Sequence, residues 1–146
     1  MVKAEKDYNF FDWWKKAFIE NYINFSGRAR RSEYWYYVLG NFIIIVPLYI
    51  VFIIAIVTGS EALIGISGFL LVAFALATII PSFAVAVRRL HDTNKSGWTY
   101  LLALIPFIGS MIILYYFVLD GDHGRNDYGN DPKMAQNNEI DFIGRE

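Results

Sequence analysis

Two short polar segments hold most of the residues that could do chemistry in this chain of 146 residues. They run from Phe25 to Trp35 and from Arg88 to Trp98. Together they carry Arg28, Arg30, Arg31, Arg88, Arg89 and Lys95 against Glu33 and Asp92, six cations against two carboxylates. Guanidinium forks suit carboxylate and phosphate alike, so these six are the candidate anion-binding residues. The expected partners are Glu33 and Asp92 inside the protein and, because two carboxylates cannot neutralise the surplus, anionic lipid headgroups or a phosphorylated ligand outside it. His91 beside Asp92, with Glu33 as a third member, forms the one candidate acid/base group. Adjacent helical positions diverge by about 100°, so His91 and Asp92 cannot pair as a simple dyad.

Other catalytic patterns are missing from the sequence. No nucleophile-elbow serine, helical two-histidine zinc pattern or phosphate-binding glycine loop occurs. With no cysteine and only two histidines, no metal site and no cofactor are expected. The segment from Asp120 to Pro132 is rich in oxygen ligands, but it lacks the register of a calcium loop and reads as a compact loop of Gly and Asx turns.

The elements that position these segments follow from where charge is absent. The chain is 55% hydrophobic and only 18% charged, too apolar for water to be its only solvent. Three charge-free runs, 34–60, 62–87 and 96–119, each exceed the roughly 20 helical residues that cross a hydrocarbon core. The expected fold is all-α: a polytopic membrane protein with three transmembrane helices, about 35–57, 62–87 and 98–119, plus an N-terminal amphipathic helix over about 10–25. Phe10, Trp14, Phe18 and Tyr22, four residues apart, form that helix's aromatic face. Residues 1–132 read as one membrane domain and 133–146 as a mobile polar tail. Ser32 and Ser96 are placed to cap the first and third spans.

Pro47, Pro81 and Pro106 fall one in each run and should kink them, with Thr78 placed to satisfy carbonyls freed near Pro81. Pro106 and Gly109 leave a re-entrant hairpin open as the alternative for the third run. Taken in chain order, the polar segments sum to +2, −1, +2 and −4. By the positive-inside rule the N-terminus and the 88–95 connection are cytoplasmic, and three spans then put the acidic tail outside. Inside the runs no ionisable side chain occurs, which disfavours transport by a monomer, although an oligomer could line a pore with Asn41. The net charge of −1 argues against nucleic acid as a partner.

Three motifs occur in order: Gly27-Arg28-Ala29-Arg30-Arg31-Ser32-Glu33-Tyr34-Trp35, then Arg88-Arg89-Leu90-His91-Asp92 with Ser96-Gly97-Trp98, then Leu104-Ile105-Pro106-Phe107-Ile108-Gly109. In this order they resemble the bacterial YhaH/YhaI-like inner-membrane family, a family of unknown function. The resemblance covers roughly residues 10–132, and the tail's Tyr128-Gly129-Asn130-Asp131-Pro132 departs from the family's pattern at Asn130, where proline is usual. It implies a small multi-pass protein of the bacterial inner membrane. The residues favour a nonenzymatic component whose basic cytoplasmic edge contacts anionic lipid, a partner protein or a second copy. A membrane enzyme acting on a phosphorylated or lipidic substrate and a small oligomeric transporter or pore are the alternatives.

Overall fold

A computed structural model of the protein describes residues 5–134, so the tail expected from 133 lies outside the described residues except for its first two. Among the described residues there are helices and no strand. Helix α1 (Phe10–Lys15) continues into a π-helical turn over Lys16–Glu20. Helix α2 (Arg31–Thr58) and helix α3 (Glu61–Asp92) follow as a hairpin closed at Gly59, whose φ of 67° is open to glycine. A 3-10 segment (Gly97–Leu104) and helix α4 (Ile108–Val118) complete the fold.

Helix α1 starts on a reciprocal cap. The Asn9 side chain accepts from the Asp12 amide at 3.0 Å, while the Asp12 carboxylate accepts from the Asn9 amide at 2.9 Å. Its aromatic stripe turns inward as the spacing predicts, but the helix stops at Glu20 rather than 25. There the Asn21 side chain takes the Lys16 carbonyl at 3.1 Å. Trp14 stacks on Phe18 with centroids 4.8 Å apart, and Trp14 Nε1 donates to Asn41 Oδ1 at 3.2 Å. Asn41, the residue considered for lining a pore, is thereby engaged in docking α1 onto α2.

Tyr22 makes the deeper attachment. Its hydroxyl donates to the Ala77 carbonyl at 2.8 Å. Ala77 lies four residues before Pro81, so its carbonyl is the acceptor that proline's missing N–H leaves unpaired. Tyr22 thus fills the role expected of Thr78, whose own hydroxyl turns back to the Phe74 and Ala75 carbonyls. Tyr22→Phe should therefore lower stability by about 1–3 kcal/mol through an orphaned buried carbonyl. Adding Pro81→Ala, which restores the helical donor, should make the same substitution nearly neutral. A double-mutant cycle read by thermal unfolding in detergent checks this, and additive effects would sink the assignment.

Helices α2 and α3 have 28 and 32 residues, about 42 and 48 Å at 1.5 Å per residue, more than the hydrocarbon thickness. Their flanks are exposed along almost the whole length, with Val57 at 81% and Phe69 at 71%. So large an apolar surface is tolerated only where lipid covers it. Helix α2 begins at Arg31 with no side-chain cap, so Ser32 sits inside its first turn rather than capping it.

The third run does not form the continuous spanning helix expected over 98–119. Ser96 caps a 3-10 segment by accepting from the Trp98 amide, the chain turns at Ile105–Phe107, and α4 is only 11 residues, about 16 Å. The turn is a tight one: Phe107 has φ 63° and ψ −65°, and the Ile108 amide donates to the Pro106 carbonyl at 2.7 Å. Both limbs lie beside the same end of α3. Ile113 and Phe117 pack on Ala86 and Leu90, and Tyr116 lies beneath the Lys95 ammonium, 5.8 Å away. The chain therefore leaves this run at the end where it entered. Locally, a proline without an N–H and a glycine three residues later interrupt the helical ladder and so permit the turn.

Candidate functional site

The polar end of the helix pair is built from three segments far apart in sequence. After a bend at Gly27, residues 28–30 run along the end of α3 without regular structure, held where the Ala29 amide donates to the Arg88 carbonyl at 2.9 Å. This delivers Arg28 beneath the last turn of α3, with its side chain 1% exposed. Arg28 Nε donates to Asp92 Oδ1 at 2.9 Å, Nη1 to the Gly124 carbonyl at 2.7 Å, and Nη2 to the Asp122 carbonyl. Arg89, whose side chain is fully buried, pairs with the other Asp92 oxygen. Its remaining donors reach the Phe117 carbonyl at 3.2 Å and the Leu119 carbonyl. One carboxylate thus holds two guanidinium groups, whose other donors capture the carbonyls that follow α4.

A second buried pair lies beside it. Arg88 Nη1 donates to Glu33 Oε1, with both side chains nearly inaccessible. Lys16 approaches Glu33 Oε2 at 3.4 Å and pairs with Glu5, and Arg30 joins Glu5 at 3.2 Å. Burial, the largest single influence, works to lower the Lys16 pKa, but Glu33 and Glu5 together outweigh it and leave it raised. At the rim Arg31 meets Asp120 at 3.1 Å, and Asp120 also meets Lys133. Asp120 is held below its usual carboxylate range chiefly by the Lys133 hydrogen bond.

His91 is locked from several sides. Its Nδ1 faces the Gly27 carbonyl at 3.1 Å, its ring stacks on Tyr128 at 3.9 Å, and its backbone carbonyl accepts from Asn126 Nδ2 at 2.8 Å. The candidate acid/base residues His91, Asp92 and Glu33 are not brought together as one group: each has different partners at this end of the helix pair. Among the described residues no three His, Asp or Glu side chains gather as metal ligands would.

Of the six candidate anion-binding cations, Arg28, Arg88 and Arg89 are buried and face carboxylates and carbonyls of this chain. The two polar segments are not the only internal partners: the loop after α4 and the N-terminal turn return Asp120, Glu5 and four carbonyls to the same edge, together with Lys133 and Lys16. Arg31 and Lys95 remain accessible. Glu5, Lys16, Tyr128 and the carbonyls of residues 117–124 were not singled out from sequence, because a carbonyl partner leaves no residue-type signal. The one signal available was the motif order, with three segments resembling one family's pattern together.

This joint construction coincides with a family boundary. A family model described as "Protein of unknown function (DUF805)" matches residues 22–130, which take in all of Arg28, Glu33, Arg88, Arg89, Asp92 and the loop they hold. The chain belongs to this family. The relatives of this DUF805 chain include Inner membrane protein YhaI of Escherichia coli (strain K12), 43% identical over 124 residues, 85% of this chain and 98% of that protein. Inner membrane protein YhaH of the same organism is 40% identical over 123 residues, 84% of this chain and 98% of that protein. No solved structure matches the chain. With inner-membrane relatives and two long apolar helices, it is a helical inner-membrane protein of a family without an assigned activity.

Proposed function

We propose that the protein is a nonenzymatic, multi-pass component of the bacterial inner membrane, with two spans, a re-entrant hairpin over Gly97–Val118 and a cytoplasmic cap. The cap's accessible basic residues contact anionic lipid or a partner protein. The observation that carries this reading is the use of Arg28 and Arg89. Both are consumed in fastening the chain after α4 to the polar end of α3, so neither is left to clamp a substrate.

The orientation follows from lysine and arginine counts. Arg28, Arg30, Arg31, Arg88, Arg89, Lys95, Arg125 and Lys133 all belong to one end, while the Thr58–Glu61 connection at the other end has none. That end is cytoplasmic by the positive-inside rule. The acidic tail then starts in the cytoplasm, reversing the external placement expected from three spans. Its seven acids carry little weight, because orientation responds to Lys and Arg and hardly to Asp and Glu.

The native chain has no cysteine, so single-cysteine variants report cleanly. In cells with a permeabilised outer membrane, an impermeant maleimide should label the Ser60→Cys variant and should label Asn130→Cys only after the inner membrane is broken. Labelling of Asn130→Cys from the periplasm would overturn the re-entrant topology.

A further inference from the structure

A cavity of about 470 Å³ lies between the end of α3 and the 3-10 segment, with His91 among its lining residues. Its size is that of a ligand site, within roughly 300–1,000 Å³. One wall is a single face of α3, where Phe83, Val87 and His91 follow at four-residue intervals and run about 12 Å from apolar to polar. The facing wall is Trp98 and Leu101, three residues apart and therefore eclipsed on a 3-10 helix. Phe83, Leu101 and Trp98 are 46%, 53% and 79% exposed, so the groove opens sideways along the apolar flank. Its polar end is closed by His91 and Ser96.

Charge gives the occupant. Among the described residues, Lys95 is the one of the six candidate cations with no carboxylate partner: Arg28 and Arg89 have Asp92, Arg30 has Glu5, Arg31 has Asp120 and Arg88 has Glu33. Lys95 adjoins Ser96 at the polar end and lies over Tyr116. Ser96 Oγ accepts from the Trp98 amide, which leaves its hydroxyl proton free to donate. An apolar trough ending in a hydroxyl donor, with the exposed Lys95 side chain one residue before it and outside the lining, matches an amphiphile whose anionic head draws that side chain across.

We propose that this groove holds one anionic phospholipid, with an acyl chain against Phe83, Val87 and Leu101 and its phosphate at Lys95 and Ser96. The proposal rests on the cytoplasmic cap described above, which sets the polar end of the groove at headgroup level. A chain entering from the bilayer leaves surroundings as apolar as the groove, so burial contributes little to retention. Selectivity is therefore carried by the head. Arg31, which lines a second apolar recess with Trp35 and Tyr36, already shares Asp120, so its recess is not the favoured seat.

The full chain, reconstituted in vesicles of phosphatidylethanolamine and phosphatidylglycerol and extracted gently, should retain one phosphatidylglycerol in native mass spectrometry. Lys95→Gln, on the surface, should reduce the preference for phosphatidylglycerol ~5-fold, the worth of one lysine near an anionic surface. Leu101→Trp should fill the trough and abolish retention. Equal retention of both lipids by the native chain would overturn the proposal, as would an unchanged preference in Lys95→Gln. Loss of the lipid in Arg31→Gln rather than in Lys95→Gln would also overturn it by moving the site to the other recess. If Leu101→Trp fails to fold, the Lys95→Gln comparison alone decides. The maleimide labelling of Ser60→Cys and Asn130→Cys tests the topology separately, so a lipid failure with correct labelling removes the groove and leaves the membrane placement standing.

Discussion

Asp92→Ala should destabilise the protein by about 3–5 kcal/mol, the cost of removing one member of a buried ion network. The substitution strands two guanidinium groups, Arg28 and Arg89, whose side chains are 1% and 0% exposed. Neither has a route to water without lifting the chain that follows α4. Loss should therefore appear first as tryptic cleavage at Arg28 and Arg125, then as a lowered midpoint in thermal unfolding in detergent. Asp127→Ala, on an exposed residue of the same loop, should stay within about 0.5 kcal/mol of the native chain. Buried ion groups can often be replaced by apolar residues without loss. That rescue should fail here, because Arg28 and Arg89 also satisfy the carbonyls of Phe117, Leu119, Asp122 and Gly124. A triple replacement of Arg28, Arg89 and Asp92 by leucine would leave those acceptors unpaired. If Asp92→Ala unfolded within 1 kcal/mol of the native chain, the network would not be what holds the cap.

Gly109→Ala should open the hairpin. A Cβ there would stand 1.7 Å from the Leu102 carbonyl oxygen and 2.7 Å from its carbon, and a backbone obstacle cannot swing aside as a side chain would. The expected loss is about 3 kcal/mol, the upper part of the range for overpacking. It should free Ile113 and Phe117 from Ala86 and Leu90 and expose α4 to protease. Combined with Pro106→Ala, the same change removes both interruptions from a charge-free run of 24 residues, about 36 Å as one helix. In that double variant a fraction of molecules should carry the tail across the membrane, read as periplasmic labelling of an added Asn130→Cys. Native-like labelling and stability in both variants would mean that Gly109 and Pro106 do not set the hairpin.

These two expectations mark where sequence reading worked and where it stopped. The aromatic stripe of Phe10, Trp14, Phe18 and Tyr22 was legible because a helical period shows in residue type. Its landing sites, Asn41 and the Ala77 carbonyl, were not, since they lie 27 and 55 residues away. The arginines were legible as an unusual concentration of charge, with Glu33 and Asp92 as partners inside the protein, but the carbonyls that share Arg28 and Arg89 were not. Arg28 finds its acceptors 64, 94 and 96 residues further along the chain, two of them backbone carbonyls that every residue type supplies. The motif order resembling one family was the better guide, because it tied the loop after α4 to the arginine segments without stating how.

The sequence by itself determined the solvent, the helical class and the two long apolar helices, because hydrocarbon tolerates neither charge nor unpaired backbone over 20 residues. The fate of the third run was decided only in the tertiary structure. Pro106 and Gly109 permit a kinked span or a hairpin with equal local chemistry. What selects the hairpin is the docking of its two ends on one end of α3, with Arg89 taking the carbonyls of Phe117 and Leu119. Local patterns report what a segment can become; the acceptors waiting at the end of another helix settle which of those it is.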